Sequence, residues 1–113
     1  VVKVELYHCE DFRKTLYYQF DDTIEQPRFP EDYTKVAVAE YPRTDSDDQI
    51  LEKIWESTNT IDHPWFERFS GQVIGGPHRS TSVGDIVVIN DEPHVCVSIG
   101  WCKLKEYAKP NRR

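Results

Sequence analysis

Seven consecutive residues, Arg79-Ser80-Thr81-Ser82-Val83-Gly84-Asp85, place hydroxyls between a guanidinium and a carboxylate. Nucleophilic attack is the first chemistry such a run suggests. A serine or threonine attacks only when a base beside it takes its proton, usually from a sharp turn that exposes the hydroxyl. No G-x-S-x-G elbow surrounds Ser80, Thr81 or Ser82, and no histidine stands at a recognised spacing from them. The hydroxyls are expected instead to satisfy backbone groups as the chain enters Ile86-Val87-Val88-Ile89. Gly84 is expected in a tight turn, and Gly75-Gly76 lacks the strand, loop and helix context of a phosphate-binding loop. Arg79 has the fork to clasp a carboxylate or phosphate, and Asn59, Asp62 and Arg79 could converge on such a group. An internal pair between Arg79 and Asp62 accounts for the same residues more simply.

Metal ligation is the second option. His8, Cys9, His63, His78, His94, Cys96 and Cys102 are ligand types, but they form neither a C-x-x-C pair nor an H-x-x-x-H helix pair. On one continuous strand Cys96 and Cys102 would stand about 20 Å apart, so they could share an ion only if Gly100 turned the chain back. His94 and Cys96 do share a strand face. No metal or cofactor is expected. Three cysteines cannot all pair within one chain, and Cys96 lies between Val95 and Val97 like a small hydrophobe, so reduced thiols are expected.

Nucleic-acid binding would use Arg68, Arg79, Lys103, Lys105, Lys109, Arg112 and Arg113, with Trp65, Phe66, Trp101 and Tyr107 as stacking surfaces. Charge argues against it. The chain has 113 residues and a net charge of −6, with 14 acidic and 7 basic side chains in residues 1–60 and 6 and 7 in residues 61–113. An acidic half repels a phosphate backbone and suits a basic partner or a solvated surface.

The length is that of one domain, able to bury a core unaided. With 38% hydrophobic and 30% charged residues the chain is expected to be globular and soluble. No apolar run approaches the roughly 20 residues of a membrane span, and no signal-peptide layout opens the sequence, so a cytoplasmic location is the default expectation.

Alternation positions these residues on strands. Val2, Val4 and Leu6 alternate with Lys3, Glu5 and Tyr7, which predicts a half-buried strand over 1–8. Strand composition over 14–20 predicts a second, and Tyr33 to Tyr41 a third, closed by Pro42. Ser46 with Gln49 forms a capping box, Asp45, Asp47 and Asp48 suit the helix dipole, and Ile50, Leu51, Ile54, Trp55 and Thr58 share one side. A helix over about 46–58 follows. Asn59, in a left-handed conformation, and Pro64 are expected to end it. Gln72-Val73-Ile74 is a short strand candidate. Asn90-Asp91 is a hairpin turn between two β-rich runs, and Trp101 to Leu104 a last strand. Lys109 to Arg113 form a basic tail expected to fray.

This order predicts an α+β domain: an antiparallel sheet of about five to six strands with one helix on one face. A partly open small β-barrel with one helix is the alternative.

Asn59-Thr60-Ile61-Asp62-His63-Pro64-Trp65, followed by Arg79-Ser80-Thr81-Ser82-Val83-Gly84-Asp85-Ile86-Val87, resembles a group of small proteins encoded by phages, plasmids and actinobacterial or archaeal genomes. Their shared pattern is T-N-x-I-D-x-P-W and then R-S-T-S-V-G-D-V-V. The second part is also similar to the YodL-like segment of mobile-element proteins. The two motifs span about residues 57–101, and the resemblance implies a mobile-element or viral setting without a particular reaction. Residues 1–45 lie outside it.

Physically, Asp62 and Trp65 suit a corner that locks the helix to the sheet. A binding site would instead draw on Asn59, Asp62, Trp65, Arg79, Ser80, Thr81, Ser82 and Asp85. The expected function is non-catalytic binding of a host or viral protein through an acidic face of Asp45, Asp47, Asp48, Glu52 and Glu56. The alternative is a nucleic-acid-binding module in the basic C-terminal region; a metal-dependent or serine hydrolase has less support. An open sheet edge would also permit a homodimer.

Overall fold

The alternating residues of Val2–Cys9 form β1, at the interior of an antiparallel sheet. The computed structural model describes residues 1–11, 14, 23 and 25–107. On one side β1 pairs with β2 (Tyr33–Tyr41), which in turn holds the two-residue β3 (Gln72–Val73). On its other side lie β4 (Ile86–Ile89), β5 (Glu92–Val97) and β6 (Gly100–Lys103), giving the order β3-β2-β1-β4-β5-β6. The sheet is open, ending at β3 and β6, so the domain is α+β and the barrel alternative is set aside. Of the strand expected over 14–20, Lys14 is helical instead and residues 15–20 lie outside the described residues, as does the tail at 109–113.

Helix α1 (Asp47–Thr58) begins as its sequence dictates. Ser46 Oγ accepts from the Gln49 amide at 3.2 Å and Gln49 Oε1 accepts from the Ser46 amide at 2.8 Å, completing the capping box. Its end differs from expectation. Asn59 has φ −125°, outside the left-handed region, and instead its side-chain amide donates to the Trp55 carbonyl at 3.0 Å.

Ile50, Leu51 and Ile54 bury against Val2, Val4 and Leu6 of β1, Val36 and Ala37 of β2, Val87 and Ile89 of β4, and Trp65. Val36 and Ala37 are consecutive yet both buried there, because a bulge shifts the β1–β2 register between Leu6, opposite Ala37, and Tyr7, opposite Lys35. The other face of the sheet is also covered: Ile86, Val88 and Val95 pack with Tyr7, Phe29, Tyr33, Leu104 and Tyr107.

The β4–β5 hairpin turns at Asn90 and Asp91 with φ of 48° and 65°, and Ile89 pairs with Glu92. Two positive φ values in a two-residue loop match the twist of the flanking strands. Among the described residues no helix is long and apolar enough to cross a membrane.

Candidate functional site

Gly84 makes the turn into β4 possible. At φ +93° it occupies a backbone region that L side chains seldom adopt. Its amide donates to the Cys96 carbonyl at 2.8 Å, and its carbonyl accepts from the Tyr33 hydroxyl at 2.7 Å. The Asp85 amide closes the turn onto the Ser82 carbonyl at 3.0 Å. The turn delivers the Asp85 carboxylate, fully buried, to the end of β1.

That carboxylate is saturated. It accepts from Arg79 Nη1 at 2.6 Å and Nη2 at 2.8 Å, from the Cys9 amide at 2.9 Å and from the Ser82 amide at 2.7 Å. An ionised carboxylate offers about four acceptor positions, and all are taken by the protein itself. Arg79 continues outward, donating to the Ser80 carbonyl at 2.9 Å and the Cys9 carbonyl at 3.1 Å. Its own carbonyl accepts from Trp65 Nε1 at 2.7 Å, so the short helical turn Trp65–Glu67 is tied to the same strap.

His8 completes the cluster. Its Nε2 lies 3.1 Å from Thr81 Oγ1 and 3.9 Å from Asp85 Oδ2. Burial pushes its pKa down to about 4; the Asp85 carboxylate opposes this, while Arg79 and His78 reinforce it. The ring is therefore neutral near pH 7. A catalytic triad needs the carboxylate on one ring nitrogen and the hydroxyl on the other, whereas both approach Nε2 here. Thr81 is also only 2% exposed. His78 stacks on Trp65 at 6.0 Å between ring centroids.

Trp65, Arg79, Ser80, Thr81, Ser82 and Asp85 thus come together, whereas Asn59 and Asp62 make their bonds elsewhere. Asp62 is 82% exposed at its side chain and pairs with His63 at 2.9 Å, so the expected Arg79–Asp62 pair is replaced by Arg79–Asp85. The reason is reach along the chain: the turn at Gly84 brings Asp85 back to Arg79, its neighbour six residues away. Sequence reasoning weighed His8 only as a metal-ligand type and missed its place in this cluster, although its register with Val2, Val4 and Leu6 marked it for burial on that face.

The acidic residues divide into two groups. Asp45 is engaged by Lys53 Nζ at 2.7 Å with its side chain 15% exposed, and Asp47 lies 3.9 Å from His94 Nε2. Asp48, Glu52 and Glu56 are exposed and recur every four residues, forming a stripe along the outside of α1. Glu52 and Asp48 of this stripe each border one of two hollows that share Trp101. One, about 270 Å³, is lined by Glu52, Trp55, Val83, Val97 and Trp101. The other, about 440 Å³, is lined by Asp47, Asp48, His94, Trp101, Lys103 and Glu106. A further hollow of about 500 Å³ lies at the β2–β3 edge, where its charged residues are Lys3 and Glu40.

Several residues of the nucleic-acid alternative are engaged internally. Arg79 is held by Asp85, Lys105 Nζ lies 3.2 Å from Glu92, and Trp65 is 3% exposed. Among the described residues no three His, Cys, Asp or Glu side chains are grouped to hold a metal ion. Burial raises the pKa values of Cys9, Cys96 and Cys102, to about 12 for Cys96, which keeps them as neutral thiols. Comparison with protein-family models, curated proteins and solved structures gives no match.

Proposed function

We propose that the chain acts without catalysis, as an accessory protein of a phage, plasmid or related mobile element, and binds a basic surface of a host or viral protein through the outer face of α1. The setting rests on the resemblance carried by residues 59–65 and 79–87. The mode of binding rests on one observation: the half-buried Trp101 is shared by two hollows, one carrying the carboxylate of Glu52 and the other those of Asp47, Asp48 and Glu106, with exposed Glu56 continuing the line of Asp48 and Glu52 along α1. Like charges four residues apart destabilise a helix by about 0.2–0.5 kcal/mol per pair, so the stripe is a cost to folding that a cationic partner offsets. Carboxylates around an aromatic give the potential that steers a basic surface and the apolar contact that holds it. The Thr81 hydroxyl, the Asp85 carboxylate and the backbone of Ser80 and Ser82 are absorbed in one cluster, which supports a role for that region as scaffold.

The test compares two labelled probes by fluorescence anisotropy, a peptide alternating arginine and glycine and a single-stranded oligothymidine. Binding of the peptide that weakens with salt and is lost in Asp48→Asn/Glu52→Gln/Glu56→Gln is the expected result. Binding of the oligothymidine with indifference to those changes would overturn the proposal in favour of the basic C-terminal region.

A further inference from the structure

The smaller hollow beside α1 has the dimensions and walls of a side-chain pocket. Small-molecule sites begin at about 300 Å³, and this hollow, half open to the surface, falls just short of that at about 270 Å³. Two tryptophans are among its lining residues, Trp55 from α1 and Trp101 from β6, both half-buried. Val83, Cys96 and Val97 supply the remaining apolar surface, and Glu52 supplies the carboxylate. The tip of the β5–β6 hairpin, whose Ser98 and Gly100 also line the pocket, carries Ile99 at 94% exposure.

An occupant must satisfy both features: a flat or aliphatic body for the indoles and a positive charge for Glu52. A purely apolar side chain would bury the carboxylate without a partner, which is costly. Lysine carries a compact, strongly hydrated charge, whereas the arginine guanidinium is planar, weakly hydrated and stacks on aromatic faces while still donating to a carboxylate. Tryptophan is the best such face. The adjoining Asp48 and Glu56 make the surroundings negative, which complements a basic segment around the inserted residue.

We propose that the recess between Trp55 and Trp101 receives one arginine side chain of the partner, its guanidinium stacked on indole and paired with Glu52. This rests on the acidic-face proposal above and adds to it a single anchor with a preference for arginine over lysine.

The experiment measures the affinity of the full chain for three peptides of one design, alternating glycine with arginine, lysine or citrulline, at fixed salt. Arginine is expected to bind about tenfold more tightly than lysine, and citrulline, which keeps the shape without the charge, more weakly still. Trp101→Ala and Glu52→Gln are each expected to lower arginine-peptide affinity about tenfold and to erase the preference over lysine. Trp101→Phe, the milder variant should the alanine form not fold, retains part of it. Circular dichroism and thermal melting of each variant separate loss of the pocket from loss of the fold. Equal binding of arginine and lysine peptides, lost only on neutralising Asp48 and Glu56, would overturn the pocket and leave the acidic face standing. Failure of every cationic peptide to bind wild-type protein would overturn both.

Discussion

Arg79 and Asp85 face each other through two hydrogen bonds, 2.6 and 2.8 Å, with the carboxylate wholly buried and the guanidinium side chain 31% exposed. Together with the amide and carbonyl of Cys9 they fasten the end of β1 to the entrance of β4, strands separated in sequence by β2 and β3 but adjacent in the sheet. The pair makes a buried charge tolerable by surrounding it with donors.

Arg79→Ala removes the only cation bonded to that carboxylate among the described contacts and is expected to cost about 3–5 kcal/mol, the usual penalty for stranding a buried charge. Arg79→Lys keeps the charge but not the fork and is expected to cost less. Urea unfolding of the two variants, read as midpoints at constant slope, checks the order.

His8 makes stability depend on pH. Its folded pKa is about 4 against an ordinary value of 6.5, so between these limits the unfolded chain binds the proton more readily. Stability from this residue is full above pH 6.5 and declines as the pH falls toward 4, by about 3 kcal/mol in all. His8→Gln is expected to flatten that decline. Equal acid sensitivity in the wild type and the variant, measured by urea unfolding at pH 7.5 and 4.5, would place its origin elsewhere.

The β4–β5 turn offers a change of the opposite sign. Asp91 sits at φ +65°, where a Cβ is strained and glycine is at ease. Asp91→Gly is expected to stabilise the domain by about 1 kcal/mol, seen as a higher thermal midpoint.

Ser46→Ala, at the start of α1, removes the acceptor for the Gln49 amide and is expected to cost about 1 kcal/mol. Its thermal midpoint falls accordingly.

Local rules were enough for much of this fold. The alternation in Val2 to His8, the spacing of Ser46 and Gln49, and the Asn90-Asp91 pair each contain their own instruction, and each element lies where that instruction puts it. What local rules could not supply was the choice among long-range partners. Arg79 had both Asp62 and Asp85 as acceptors, and the turn at Gly84 together with the β1–β4 pairing decides for Asp85. His8 meets Thr81 across 73 positions, which no spacing rule reaches. The bulge that buries Val36 beside Ala37 breaks alternation and is visible only once β1 and β2 are paired. For the acidic face, helical periodicity placed Asp48, Glu52 and Glu56 in one line, while the removal of Asp45 by Lys53 and the arrival of Trp101 from β6 are tertiary facts.

Recognition of a basic partner is proposed for the outer face of α1 and the adjoining β6. Amide chemical-shift mapping of the labelled chain, titrated with the arginine–glycine peptide, tests it residue by residue. Shifts are expected to be confined to Asp48, Glu52, Trp55 and Glu56 on α1 and to residues 97–101, with the indole N–H of Trp101 among the most affected. Shifts centred on Arg68, Lys105 and Tyr107, or none at saturating peptide, would contradict it.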